Sequence, residues 1–131
     1  MNLTPLATWH RMVRTNDATD LAALVAEDAV FHSPVVHAPQ LGRQRTVMYL
    51  SAAFQVFFNP TFRYVREIVG PSEAMLEFET EIDGVLVNGV DIIQWNEAGL
   101  ITGFKVMIRP LKAINLIHER MAAMLDGNFK P

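Results

Sequence analysis

The order of elements predicts an α+β fold in which a few helices pack on one curved antiparallel sheet. Two observations carry this prediction. Apolar residues recur at helical spacing over the first part of the chain, and after Asn59-Pro60 the period changes to two. Four strand-like stretches then follow one another, separated by turn signals, before a last amphipathic helix. Helices segregated from a meander of strands define the α+β class. Helices laid across one curved sheet leave a conical hollow between the two layers. A chain of 131 residues, half of them hydrophobic, is expected to form one domain over 1–131 with a real core.

Each element has its own signature. Thr4-Pro5 reads as a helix start, with Thr at the N-cap and Pro at the first helical position. Leu6, Trp9, Met12 and Val13 then form one apolar stripe, which Thr15-Asn16-Asp17 breaks. A second short helix is predicted over about 17–26, with Leu21, Leu24 and Val25 inward. The stretch AVFHSPVVHAP gives a pair of short extended pieces, because Pro34 and Pro39 forbid a helix and favour an edge or a bulge. Gly42 precedes a third helix over about 43–57, with Val47, Leu50, Phe54 and Phe57 on one face.

The strands follow. TFRYVREIVG is the first of the meander. In EAMLEFETEID, Leu76, Phe78, Thr80 and Ile82 alternate with Glu77, Glu79 and Glu81. Those glutamates read as a solvated face, with Arg63 and Lys105 able to pair with them across strands. Asp83-Gly84 signals a tight hairpin. VLVNGVDIIQWN, the turn EAG and LITGFKVMIRP complete the meander. The final helix is predicted over about 111–125, with Gly127 as its stop.

Composition narrows the function classes. A net charge of −3 without a basic cluster argues against nucleic acid. The absence of cysteine removes disulfides, a thiol nucleophile and thiolate metal sites. MNLTPLATWHRMV lacks the basic start and continuous apolar core of a signal peptide. No apolar run approaches the roughly 20 residues that span a bilayer. A soluble cytoplasmic protein with no membrane partner is expected.

One residue stands out. Asp91 sits between Val90 and Ile92 in a strand apolar on both faces. A buried unpaired carboxylate costs several kcal/mol or shifts its pKa until it is neutral. Asp91 is therefore exposed at an edge, paired, or turned into a cavity where it has a role.

Three phrases resemble the nuclear transport factor 2-like superfamily, also known as the SnoaL-like or cystatin-like cone fold. They are LAALVAEDAVFHSPV, GRQRTVMYL and GVDIIQWNEAGLITGFKVMIRP. The order of elements extends the similarity over essentially the whole chain. The superfamily includes ketosteroid isomerase, polyketide cyclases, limonene epoxide hydrolase, scytalone dehydratase and non-catalytic binding modules, so the fold leaves the chemistry open. The resemblance to ketosteroid isomerase implies that Asp91 lies inside the cone, stays protonated and donates a hydrogen bond to a developing oxyanion. The isomerase's general base does not carry over: its Glu-Asp-Pro phrase is matched by His32-Ser33-Pro34, and the Ser33 hydroxyl is too weakly basic to replace a carboxylate. Its first-helix tyrosine falls near Trp9, which has an indole N–H and no hydroxyl. The epoxide hydrolase needs two carboxylates and an arginine, and only one internal carboxylate is found here.

His32 is the candidate base, and His37 a second, weaker one. Alternation puts His32 and Ser33 on opposite faces unless a bulge at Pro34 re-aims them. A metal site is not expected, because these two histidines lie five apart on a proline-broken stretch without a third ligand. Arg109 either pairs with Asp91 or a ligand carboxylate, or pins the last helix through backbone carbonyls. Trp9, Tyr49 and Phe54 are expected to line the pocket, since the first and third helices roof the cavity in relatives. His10 and His118 read as surface residues. Three functions are compatible with these residues. One is a cofactor-free isomerase, cyclase or dehydratase with Asp91 as acid. The second is a binding protein for a small apolar molecule. The third is an interaction module. Homodimerisation through the sheet's outer face is expected under all three.

Overall fold

The computed structural model describes residues 4–129. Helix α1 (Leu6–Thr15) opens the chain and is followed by one helical turn, α2 (Leu21–Leu24), strand β1 (Val25–His32) and the short β2 (Gln40–Leu41). Helix α3 (Arg43–Phe57) leads into β3 (Arg63–Val69), β4 (Glu73–Ile82), β5 (Val85–Trp95) and β6 (Ile101–Arg109). Helix α4 (Leu111–Phe129) follows a cis Arg109–Pro110 bond and runs past Gly127, where a stop is expected. The six strands form one sheet in the order β2-β1-β6-β5-β4-β3. Only the β1–β6 pair is parallel; β3 to β6 are the predicted antiparallel meander.

Local chemistry explains most boundaries. The N-cap is Pro5, without a side-chain cap bond, rather than Thr4 as expected; Thr4 stands one residue before it and accepts from the Leu6 amide at 3.2 Å. Asn16 takes the left-handed conformation at the C-terminus of α1 (φ 50°) and returns amides to the carbonyls of Met12 and Val13. Asp83 and Gly84 both have positive φ, the geometry of a two-residue hairpin turn. Asp83 also pairs with Arg120, which ties this hairpin to α4.

The second helix differs most from its expectation. The predicted second helix shrinks to α2, and β1 begins at Val25. Burial decides this. Val25, Ala29 and Phe31 are fully or nearly fully buried in the sheet, where β1 lies between β2 and β6. Pairing with β6 outweighs the helix propensity of the Leu- and Ala-rich stretch. β1 is thus an interior strand, and the segment after it, 33–39, contains no strand.

The inner face of the sheet carries the core. Leu76, Phe78, Thr80 and Ile82 of β4, Val87, Ile93 and Trp95 of β5, and Phe104 and Val106 of β6 are buried. They pack against Trp9 and Met12 of α1 and Leu50, Phe54 and Phe57 of α3. The outer face carries Glu77 and Glu79, which pair with Arg66 and Arg63; Arg66 rather than Lys105 is the second partner. No described helix is long and apolar enough to cross a membrane.

Candidate functional site

Along β5 burial alternates, with Val87, Gly89, Asp91, Ile93 and Trp95 inward. Asp91 is opposite Leu76 on β4 and Val106 on β6, in the middle of the inner face, and is only 6% exposed. It lines a small cavity of about 20 Å³, bounded also by Trp9, Phe58, Phe62, Phe78 and Phe104. Gly89 makes room for one of these rings. A Cβ there would lie 2.4 Å from Phe78 Cζ and 2.7 Å from the Met107 carbonyl oxygen.

Asp91 ends a directed chain of hydrogen bonds. The Trp9 indole N–H donates to Tyr64 Oη at 2.9 Å, and the Tyr64 hydroxyl donates to Asp91 Oδ2 at 2.7 Å. Among the described residues Tyr64 is the one hydrogen-bond partner of the Asp91 side chain. Burial pushes Asp91 up to about 7, and the bond from Tyr64 works against that rise. Tyr64 is held well above the ordinary tyrosine value, first by burial and then by the neighbouring Asp91 charge, so it remains a neutral donor.

Tyr64 reaches this position through a bulge. On β3, Arg66 and Ile68 lie opposite Glu77 and Met75, on the outer face. Strict alternation would place Tyr64 with them. The register shifts between Tyr64 and Arg66, leaving Val65 as an extra residue, and Tyr64 turns inward opposite Phe78. The hydroxyl missing from α1 is thus supplied by an edge strand. The sequence reading did not single out Tyr64; its adjacency to a run that breaks alternation was the available signal.

The other expected site residues are dispersed. Trp9 lines the Asp91 cavity. Phe54 is buried behind it, edge-on at 5.5 Å between ring centres. Tyr49 stacks on Phe31 at 5.2 Å and lines a separate chamber beneath α4. His32 does not join Asp91: Phe31 next to it points into the core, and His32 pairs in register with exposed Lys105 on the outer face. No bulge at Pro34 re-aims it. Ser33 instead caps its own turn, accepting from the amides of Val35 and Val36 at 3.0 and 3.2 Å. His37 is exposed in the loop that follows. Arg109 is on the outer face as well, because Phe104 and Val106 take the inward positions; its contact is Asn88 Oδ1 at 3.4 Å, neither Asp91 nor helix carbonyls. His10 is half-buried rather than free: it meets Glu67 Oε1 at 2.8 Å, with its ring edge-on to Tyr64. Among the described residues no three metal-ligating side chains converge.

Comparison with known proteins agrees with this fold. A family model described as a SnoaL-like domain matches residues 6–104. The solved structure of a steroid delta-isomerase from Pseudomonas aeruginosa is 31% identical, with a TM-score of 0.88 over 94% of this chain and 90% of that chain. An uncharacterised bacterial protein with a cystatin-like fold, from Silicibacter pomeroyi, is 34% identical, with a TM-score of 0.79 over 88% of this chain and 83% of that chain. An NTF2-like protein of unknown function from Mesorhizobium loti shares the fold at 22% identity, with a TM-score of 0.69 over 80% of this chain and 88% of that chain. No curated protein matches the chain in sequence.

Proposed function

The chain belongs to the SnoaL-like domain family, and from that premise we propose that it binds a small apolar molecule through one carbonyl or hydroxyl oxygen, with Asp91 as the acid of an isomerase- or cyclase-type reaction that needs no cofactor. The directed chain Trp9–Tyr64–Asp91 carries this reading. When Asp91 is protonated, Oδ2 keeps the bond from Tyr64 and Oδ1 holds a proton for the cavity. A ligand oxygen that gains negative charge in an apolar cavity is stabilised by such a donor far more than it would be in water. The similarity to a protein described as a steroid delta-isomerase supports the same class of chemistry.

A second reading, binding without turnover, is favoured by one observation. Among the described residues Asp91 is the only ionisable side chain that lines the small cavity. Proton transfer between carbons also requires a base. Two measurements separate the readings. The first is a carboxyl-carbon NMR titration of Asp91 with and without phenol. A response of Asp91 to phenol is expected; an Asp91 that titrates as an ordinary carboxylate and ignores phenol overturns both readings. The second is conversion of 3-cyclohexen-1-one to its conjugated isomer, followed by absorbance. Turnover lost in Asp91→Ala supports catalysis, and phenol binding without turnover supports the binding reading.

Homodimerisation through the outer sheet face is part of the proposal. Ile68, Met75 and Met107 are each about half exposed or more on that face. They are flanked by Arg66, Glu77 and Arg109, a mixture of charges that a two-fold axis can pair with itself.

A further inference from the structure

The cavity at Asp91 is too small for a ligand, since about 20 Å³ is room for roughly one water. A second, larger chamber of about 140 Å³ lies directly beside it. Ala53, Phe57 and Val106 line both spaces and stand between them. The far side of the chamber is roofed by Ile117, Met121 and Leu125 of α4. Residues 6–104 are the part matched by the family model, whereas α4 begins at Leu111. The roof is therefore contributed by a segment outside the matched region.

We propose that this chamber beneath α4 is the ligand's apolar subsite, that it accepts one six-membered ring, and that Phe57 sets this limit by narrowing the way from it to Asp91. The inference rests on the reading of Asp91 as the group that meets the ligand oxygen. Volume argues for the ring size. An apolar cavity of about 150 Å³ holds benzene, whereas drug-sized ligands fill about 300–1,000 Å³. A four-ring steroid exceeds the chamber and the Asp91 cavity together. This chain would thus differ in ligand size from the steroid isomerase it is similar to. The chamber wall is mostly apolar; Ser33 Oγ is already engaged with its own turn, and Tyr49 and His118 are the other polar side chains on the wall. Phe57 is held at the end of α3 with its ring edge-on to Phe78 at 5.6 Å, which keeps it between the two spaces.

Methyl NMR with four probes tests the proposal: toluene, phenol, 2-naphthol and estradiol. Toluene and phenol are expected to shift the methyl signals of Ile117, Met121 and Val106, and estradiol is expected to shift none. Phe57→Ala is expected to raise affinity for 2-naphthol at least tenfold; Phe57→Leu is the milder variant should the first fail to fold. Ala122→Trp, at the exposed rim, is expected to abolish toluene binding. Toluene that leaves Ile117 and Met121 unmoved overturns the proposal, as does estradiol binding as tightly as phenol. Phenol that moves Met121 and Val106 but not Asp91 upholds the chamber and overturns the reading of Asp91 instead.

Discussion

Asp91 holds its proton more tightly in the folded chain than in the unfolded one, because burial raises it from 3.8 to about 7. Between those values the folded state binds more protons. Stability therefore falls as pH rises from about 4 to about 7 and levels off above that. The difference amounts to about 4 kcal/mol, a large share of the roughly 5–15 kcal/mol that holds a domain together. Glu77 and Asp17 are shifted downward and work in the opposite direction, so the total curve mixes signs. Asp91→Asn isolates the effect, since the amide is neutral at every pH and still accepts from Tyr64. Urea unfolding of both proteins between pH 4.5 and 7.5 is expected to show the wild type losing stability relative to the variant as pH rises. A constant difference between the two would show that Asp91 is not buried as an acid.

At the scale of elements, the bulge at Val65 does the positioning. It absorbs one residue too many, which lets Tyr64 stay opposite Phe78 while Arg66 stays opposite Glu77. Deleting Val65 should then restore a regular ladder with the same two pairings. The expected result is an Asp91 titration unchanged near 7 in the deletion variant, read by carboxyl NMR; a further rise would mean that Tyr64 has lost contact and that the bend itself brings it within reach. This element also shows where sequence patterns stop being readable. The meander was legible because Leu76, Phe78, Thr80 and Ile82 alternate without interruption, and α3 was legible from its apolar face. Tyr64 was hidden, because a bulge reverses alternation without leaving a mark in composition. The start of β1 was hidden for a different reason. The stretch up to Ala26 favours a helix locally, and the partner that makes a strand of the chain from Val25 onward is β6, far along the chain. His32 looked like a base through its neighbour Ser33, but a single residue's step along a strand changes the face.

For the whole molecule, the outer sheet face and the α4 roof are the two surfaces on which the proposal depends. If two copies meet through the sheet, Met107→Glu places a charge in the middle of the contact. Sedimentation velocity is expected to show a dimer for the wild type and a monomer for the variant, and a monomeric wild type would remove the dimer. The parallel pairing of β1 with β6 has a consequence for biosynthesis. Phe31 finds its neighbour Phe104 only after roughly seventy more residues have been made, ~4–14 s at ribosomal rates of about 5–20 residues per second. Throughout that interval Val25, Ala29 and Phe31 lie on an apolar strand that has the two-residue β2 beside it and nothing yet on its β6 edge. β2 covers one edge of β1 early, but the other edge stays open until β6 has been made, so the nascent chain carries a sticky strand edge throughout that interval.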